Sequence, residues 1–112
     1  MLSIGYDFSH VHAATLPYAS PEVLSQEKYN QKTDVWALEC ILYEMVAGKR
    51  AYNFSNEEII KQRILHYPVP LLPVKSSQYK SIDYLNAIYN FCMKKNQDER
   101  PTIKEILNID II

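Results

Sequence analysis

Glycine is nearly missing from this sequence of 112 residues, which contains only Gly5 and Gly48. A glycine-rich loop that surrounds phosphate groups needs several glycines close together, so the sequence excludes a loop of this kind. Hydrophobic runs are short as well, and none approaches the roughly 18 apolar residues of a membrane span. The first five residues have no basic region leading into an apolar core, which argues against a signal peptide.

An excess of charge of either sign is also lacking. Lys and Arg total 12 and Asp and Glu total 13, a balance that argues against nucleic acid or an anionic membrane surface as the main partner. There are only two cysteines, Cys40 and Cys92, and both fall in apolar surroundings inside predicted helices. We expect them to be reduced and buried, which fits a cytoplasmic or nuclear protein that is not secreted.

Apolar residues make up 47% of the chain, enough for the core of one domain. The most informative segment runs from Asp34 to Gly48, where Thr33 or Asp34 can cap a helix and Gly48 can end it. Glu39 and Glu44 are the only charged residues between these ends. A helix that is apolar on nearly all faces is typical of the centre of a domain.

Four further helices are predicted by capping signals and apolar spacing. Ser20 and Pro21 begin a short helix, and capping boxes at 55–58 and 102–105 begin two others. A fourth is predicted over 81–95, and the prolines of 67–73 predict an extended loop. The side chains expected to point inward are Ile59, Ile60, Ile64, Leu65, Ile82, Leu85, Ile88, Tyr89, Cys92, Ile103, Ile106 and Leu107. The chain is therefore predicted to be all-α, with about five helices and no strand.

Three motifs occur in one order along the chain. Tyr18-Ala-Ser-Pro-Glu22 resembles the Ala-Pro-Glu motif that closes the activation segment of protein kinases. Asp34-Val-Trp-Ala-Leu resembles the start of the kinase central helix, helix F, and Asp98-Glu-Arg-Pro101 resembles the turn before the last helix, helix I. Together they identify the chain as similar to the C-terminal helical lobe of a serine/threonine protein kinase. The amino-acid sequence of the central helix is most similar to that of the NIMA-related kinases.

The resemblance implies a domain organisation. Residues 1–19 correspond to an activation-segment-like loop, and residues 20–112 to a partial kinase domain, with the N-terminal lobe of the α+β kinase fold absent from these residues.

Five motif residues receive structural roles from the resemblance. Glu22, next to Pro21 of the first motif, is expected to form a buried ion pair with Arg100, the alternative being two unrelated surface charges. Asp34 is expected to cap its helix, and in the family the matching carboxylate also holds the backbone of the catalytic loop. Trp36 is expected to lie in the core, against the short helix at Pro21.

The resemblance also places three residues near a substrate. Thr15 and Tyr18 match activation-segment positions, and the family threonine helps to position the catalytic base and the substrate hydroxyl. Glu44 matches a position that receives a basic substrate residue in some relatives. The alternatives are an ordinary loop threonine and a structural carboxylate.

Two features of the first residues have no assigned role. Asp7-Phe8-Ser9 resembles the metal-binding Asp-Phe-Gly motif, but it lies too close to Pro21 for a usual activation segment, so we interpret it as coincidence or a decayed remnant. His10 and His12 have no further ligand at the spacing of a metal site.

The parts that perform phosphoryl transfer are missing from the 112 residues. The reaction needs a phosphate-covering loop, a lysine on the phosphates, a base, and metal-binding Asp and Asn residues. The sequence contains no His-Arg-Asp loop and no Val-Ala-Ile-Lys strand. We therefore predict no catalytic, cofactor-binding or metal residue in this chain, although the family uses ATP and Mg²⁺, and we expect the chain alone to be inactive.

Two hypotheses remain open. In the first, the chain is part of an active serine/threonine kinase, and its partners are a protein substrate or the missing N-terminal part of the domain. In the second, it is a stand-alone, catalytically dead remnant that acts as a protein-binding module. Glu39 stands where the family usually has glycine. A buried carboxylate costs several kcal/mol unless it is paired, so Glu39 indicates relaxed constraint or a basic partner.

Overall fold

The computed structural model describes residues 15–28, 30–74 and 80–108, and these ranges are helical with no strand. The predicted Asp7-Phe8-Ser9 remnant, His10 and His12 lie outside the described residues, as does most of the predicted loop over 1–19. Five helices occur in the described ranges, which confirms the predicted all-α class. They are α1 (Pro21–Leu24), α2 (Gln31–Ala47), α3 (Glu57–His66), α4 (Lys80–Cys92) and α5 (Ile103–Leu107), with short 3-10 turns at Leu16–Tyr18 and Gln97–Glu99.

Helix α2 is the element around which the others are arranged. It packs against α4, α5 and both 3-10 turns, while α3 packs against α1 and the Leu16–Tyr18 turn. One core cluster joins α1, α2, α3, α4 and the Leu16–Tyr18 turn, with Trp36 and Tyr52 stacked at 6.5 Å between ring centroids. Both cysteines are free thiols in buried positions, as predicted. None of the helices in the described ranges combines the length and hydropathy that a membrane-spanning segment requires.

The start of α2 corrects the predicted cap. The helix begins three residues earlier than expected, because the side chain of Asn30 accepts a hydrogen bond from the amide of Lys32 at 2.8 Å. Thr33 is not available as a cap, since its hydroxyl donates to Glu22 instead. At the other end, Gly48 has the left-handed conformation (φ 75°) that favours glycine, as the sequence predicted.

The other helix starts agree with the sequence in part. The capping box at 102–105 is confirmed, with the Glu105 amide donating to the Thr102 hydroxyl at 3.1 Å. The predicted capping box at 55–58 is wrong, because Asn56 caps α3 and its side chain accepts hydrogen bonds from the amides of Glu58 and Ile59. Ser20 does precede α1, but its hydroxyl makes no capping hydrogen bond.

Helix α4 ends at Cys92, three residues before the predicted end. The carbonyl groups of Lys94 and Lys95 accept hydrogen bonds from Arg100, so this segment leaves the helical path. The loop over 67–73 is free of helix, as predicted, and the Tyr89 hydroxyl fastens it by donating to the Pro70 carbonyl at 2.7 Å.

Several residues predicted to point inward are exposed. In α5, Ile103 is exposed and Leu107 is 78% exposed, and Ile59 and Leu85 are exposed on α3 and α4. Apolar spacing shows which residues share a face of a helix, but it does not show whether another element covers that face. On α5, a helix of only five residues, nothing in the described part buries Leu107.

Helix α2 is central, yet one of its faces is open. Leu38, Ile41, Met45 and Val46 are all exposed, and Met45 reaches 73%. We call Leu38, Ile41 and Met45, which recur at helical spacing, the open face of α2. A helix that is apolar on nearly all faces is therefore covered on only part of its surface by the described residues, as expected if these residues are only part of a kinase lobe.

The open face predicts that the chain self-associates when it is expressed alone. Each large apolar side chain left in water forfeits about 1.5–3 kcal/mol, against a typical net stability of about 5–15 kcal/mol for a domain. Replacing Leu38 and Met45 together by Lys should reduce the oligomer mass in analytical ultracentrifugation and the binding of a hydrophobic dye. Leu107→Lys, an equally exposed change on α5, is the control and should leave both readings unchanged. A monomeric parent chain that binds no dye would contradict this expectation.

Candidate functional site

A buried ion pair joins the first motif to the third. Glu22 in α1 and Arg100 after the Gln97–Glu99 turn are each 2% exposed, and two hydrogen bonds of 2.7 Å connect them. The guanidinium Nη1 donates to Oε2 and Nη2 donates to Oε1, which is the fork-to-fork geometry that arginine makes with a carboxylate. The sequence alternative of two unrelated surface charges is thereby excluded.

Every N–H donor of the Arg100 guanidinium has a partner. In addition to Glu22, Nε donates to the Lys94 carbonyl at 2.8 Å, Nη1 to the Lys32 carbonyl at 2.9 Å, and Nη2 to the Lys95 carbonyl at 3.4 Å. An arginine has five such donors, so the buried cation is fully satisfied. It also lies 5.1 Å from the ring of the buried Trp36, at a distance suited to a cation–π contact.

Glu22 is equally well supported. The Thr33 hydroxyl donates to Oε2 at 2.7 Å, beside the two bonds from Arg100. Burial acts to raise the pKa of Glu22, but the hydrogen bonds and charge of Arg100, with the Thr33 hydroxyl, outweigh it and hold the pKa below its ordinary value. The carboxylate is therefore ionised at neutral pH, and the pair is a true ion pair.

This arrangement positions the segment that carries Tyr18. The 3-10 turn at Leu16–Tyr18 packs on α2, and the Tyr18 hydroxyl donates a short hydrogen bond to Glu44 Oε1. The hydrogen bond to Glu44, assisted by burial and by the charge of Glu44, raises the pKa of the Tyr18 hydroxyl. Tyr18 and Glu44 thus form one polar edge of a surface groove, whose apolar side is Ile41 and Met45. The groove has a volume of about 440 Å³.

The remaining predicted site residues are placed as follows. Thr15 is exposed at the start of the 3-10 turn, where its carbonyl accepts from the Tyr18 amide at 3.0 Å. Pro21 and Asp34 are buried in the first turns of α1 and α2, and Trp36 is fully buried in the core. The structure therefore brings Glu22, Trp36 and Arg100 together in one place and Tyr18 with Glu44 in another.

Sequence reasoning missed the partners that complete the Arg100 site. The Thr33 hydroxyl was visible only as a possible helix cap, and backbone carbonyls such as those of Lys32 and Lys94 have no signature in a sequence. One signal was present, because an arginine expected to be buried needs five acceptors and a single carboxylate supplies too few.

Glu39 is the second buried carboxylate, and it lacks this support. It is 9% exposed, and its Oε1 atom has no hydrogen-bond partner among the described residues. It lies on the α4 side of α2, close enough for its charge to raise the pKa of the Cys92 thiol, though burial is the larger cause. Burial raises the pKa of Glu39 from the ordinary 4.5 to about 7. The basic partner that the sequence left open is not found in the part of the chain that the structure describes.

Comparison with known families agrees with this geometry. The sequence model of the protein kinase domain family matches residues 5–112, nearly the whole chain. This chain therefore belongs to the protein kinase domain family, and its five helices correspond to the helical lobe.

Its relatives are serine/threonine kinases of the NIMA-related type. The G2-specific protein kinase nim-1 of Neurospora crassa is 34% identical over 107 residues, which is 96% of this chain and 12% of that protein. The human serine/threonine-protein kinase Nek11 is 37% identical over 103 residues, 92% of this chain and 15% of that protein. The G2-specific protein kinase nimA of Emericella nidulans is 30% identical over 107 residues. The chain thus spans only a small part of the length of these relatives.

The Arg100 site predicts a large loss of stability when the guanidinium is removed. Arg100→Ala leaves the Glu22 carboxylate buried without its cation, which should lower the free energy of unfolding by roughly 3–5 kcal/mol. Urea melts of mutant and parent measure this change. Lys104→Ala, on the exposed surface of α5, is the matched control and should change stability by less than about 0.5 kcal/mol. A change below about 1 kcal/mol for Arg100→Ala would show that the pair contributes no more than a surface pair.

Glu39 predicts that stability falls as the pH rises. Between about pH 4.5 and about pH 7 the unfolded chain releases the Glu39 proton and the folded chain retains it, so folding is progressively penalised over this window. The full penalty above about pH 7 is on the order of 3 kcal/mol. Glu39→Gln should therefore be more stable than the parent at about pH 8, with the difference disappearing near pH 4.5.

The control for this measurement is Glu57→Gln on the exposed surface of α3, which should not reproduce the gain in stability at about pH 8. Unfolding free energies from urea melts across the pH range provide the comparison. A parent chain that loses no stability relative to Glu39→Gln as the pH rises would mean that Glu39 is paired or solvated.

Proposed function

We propose that this chain forms the substrate-facing side of the C-terminal lobe in a NIMA-related serine/threonine kinase. The observation that carries the proposal is the buried Glu22–Arg100 pair, which joins α1 to the turn before α5. Because α1 follows the Leu16–Tyr18 turn directly, fixing α1 also fixes Tyr18 against Glu44. The chain then supplies the surface for the protein substrate, while the phosphate chemistry belongs to another part of the domain.

Glu44 is the residue proposed to meet the substrate. Its carboxylate lies in the groove beside Ile41 and Met45, where a basic side chain of a peptide would find one charge and an apolar wall. A carboxylate accepts about four hydrogen bonds, and the Tyr18 hydroxyl uses one of them. Tyr18 would then hold Glu44 in place for the substrate, and Thr15 at the start of the same turn would lie near the substrate hydroxyl.

The N-terminal part of the kinase domain is proposed as the second partner. The ATP and Mg²⁺ that the family uses would be bound there, since these 112 residues contain none of the motifs for them. The open face of α2 is the surface of this chain best suited to cover by that part, because it is apolar and belongs to the central helix. The paired chain would work in the cytoplasm or nucleus, which the two reduced cysteines support.

A second function is favoured by Glu39. Glu39 is a buried carboxylate whose Oε1 atom has no partner among the described residues, and it stands where the family usually has glycine. Selection for a stable active kinase would remove such a feature. On this reading the chain is a catalytically dead remnant that binds other proteins.

Sequencing of the transcript upstream of the Met1 codon separates the two functions. The active-kinase function requires an in-frame extension that encodes a strand with the phosphate-binding lysine and a His-Arg-Asp loop. A stop codon directly before Met1 would overturn the first proposal and favour the remnant.

Because these residues contain none of the motifs that bind ATP and Mg²⁺, we predict that residues 1–112 alone do not bind Mg-ATP. Calorimetric titration of the purified chain should show no heat of binding at nucleotide concentrations that saturate a complete kinase domain, which serves as the positive control. A phosphotransfer assay on the same sample should give no product above background. Nucleotide binding with micromolar affinity would contradict the prediction, because it would require phosphate and metal ligands that the sequence does not show.

A further inference from the structure

An exposed arginine on α3 lies against two aromatic rings. The guanidinium carbon of Arg63 lies 4.4 Å from the centroid of the Tyr67 ring and 5.3 Å from that of Phe54. Both rings are exposed themselves, Tyr67 by 48% and Phe54 by 41%. Neither ring belongs to the buried core cluster, so this stack is a surface structure.

The stack leaves the polar edge of the guanidinium available. A ring face attracts the cation as a whole, and neither contact uses an N–H donor in a conventional hydrogen bond. Among the described residues no carboxylate forms an ion pair with Arg63. Because the rings already restrict the side chain, less conformational entropy is lost when a ligand binds.

The surroundings of Arg63 define what kind of ligand fits. Ile59, one helical turn earlier, is exposed on the same side of α3 and adds an apolar neighbour. Glu57 and Glu58, exposed in the first turn of the helix, carry negative charge and disfavour a polyanion such as nucleic acid. One cation surrounded by Phe54, Ile59 and Tyr67 fits a single carboxylate that is flanked by large apolar side chains.

We propose that Phe54, Ile59, Arg63 and Tyr67 form a docking site for a partner-protein segment in which one Asp or Glu stands beside a bulky apolar residue. The carboxylate accepts two hydrogen bonds from the Arg63 guanidinium, and the apolar neighbour packs on Ile59 and the rings. Arginine and aromatic residues are those that contribute most to protein–protein binding. The site shares no residue with the groove lined by Tyr18, Ile41, Glu44 and Met45, so in this proposal it recruits a partner and does not position the phosphorylated residue.

The test uses the complete 112-residue chain on an array of immobilised peptides. Each peptide carries Asp, Glu, Asn, Gln or phosphoserine at one central position between varied apolar residues. Binding should be strongest for Asp or Glu beside Leu, Ile or Phe, and replacing that residue by Asn or Gln should weaken it by about tenfold or more, as expected for a charge-assisted pair.

Variants assign the binding to the stacked arginine. Arg63→Gln should weaken binding of the best acidic peptide by about tenfold or more, and Arg63→Lys, which keeps the charge but loses the planar fork, by several-fold. Phe54→Ala should weaken it without a change in charge. Lys61→Gln removes a cation from another side of α3 and is the matched control, with circular dichroism showing that each variant keeps its helix content. Equal binding of the Asp and Asn peptides, a preference for phosphoserine alone, no binding at all, or an Arg63→Gln variant that binds like the parent would overturn the proposal.

Discussion

The Arg100 guanidinium is the constraint on which the rest of the structure depends. It joins residues 78 positions apart in the sequence, and its five donors reach α1, the first turn of α2 and the segment after α4. A buried charge is costly to desolvate, and only full hydrogen bonding offsets this cost. The network therefore determines local structure. Helix α4 ends at Cys92, and the carbonyl groups of Lys94 and Lys95 after it accept hydrogen bonds from Arg100. The Thr33 hydroxyl donates to Glu22, so Asn30 and not Thr33 caps α2.

The two buried carboxylates show how burial can lead to opposite results. Glu22 and Glu39 are both almost inaccessible, yet the pKa of Glu22 is lowered and that of Glu39 is raised to about 7. The difference lies in the partners, since burial favours the neutral acid and a bidentate cation reverses that preference. Glu22 consequently stabilises the fold above the pKa of an ordinary glutamate, whereas Glu39 weakens it as the pH approaches neutrality. The helical lobe thus contains one buried carboxylate that an arginine stabilises in its charged form and another that burial favours in its neutral form.

The sequence predicts features that follow from apolar spacing and motif order. It does not predict which of several neighbouring side chains caps a helix, or which surfaces other elements leave exposed. The all-α class followed from capping signals and apolar spacing, and the Glu22–Arg100 pairing was implied by the resemblance of the motifs to those of protein kinases. Helix starts were misplaced by one to three residues because Ser55 and Asn56, or Asn30 and Thr33, can each cap a helix. At α2 the choice follows from the hydrogen bond of the Thr33 hydroxyl to Glu22. The exposure of Leu107 and the Arg63 stack could not be predicted, since both depend on which surfaces other elements leave uncovered.

The open face of α2 and the core on its other side divide the central helix into an exposed side and a buried side. Trp36, Cys40 and Tyr43 bury one side of the helix in a core that includes residues from every other helix except α5. This core is closed by Arg100, which contacts Trp36 directly, so its integrity does not depend on the side that carries Leu38, Ile41 and Met45. The groove beside Tyr18 and Glu44 shares Ile41 and Met45 with the open face. A protein segment that covers the open face would therefore also form a wall of this groove, so the shape of the groove depends on whether the face is covered.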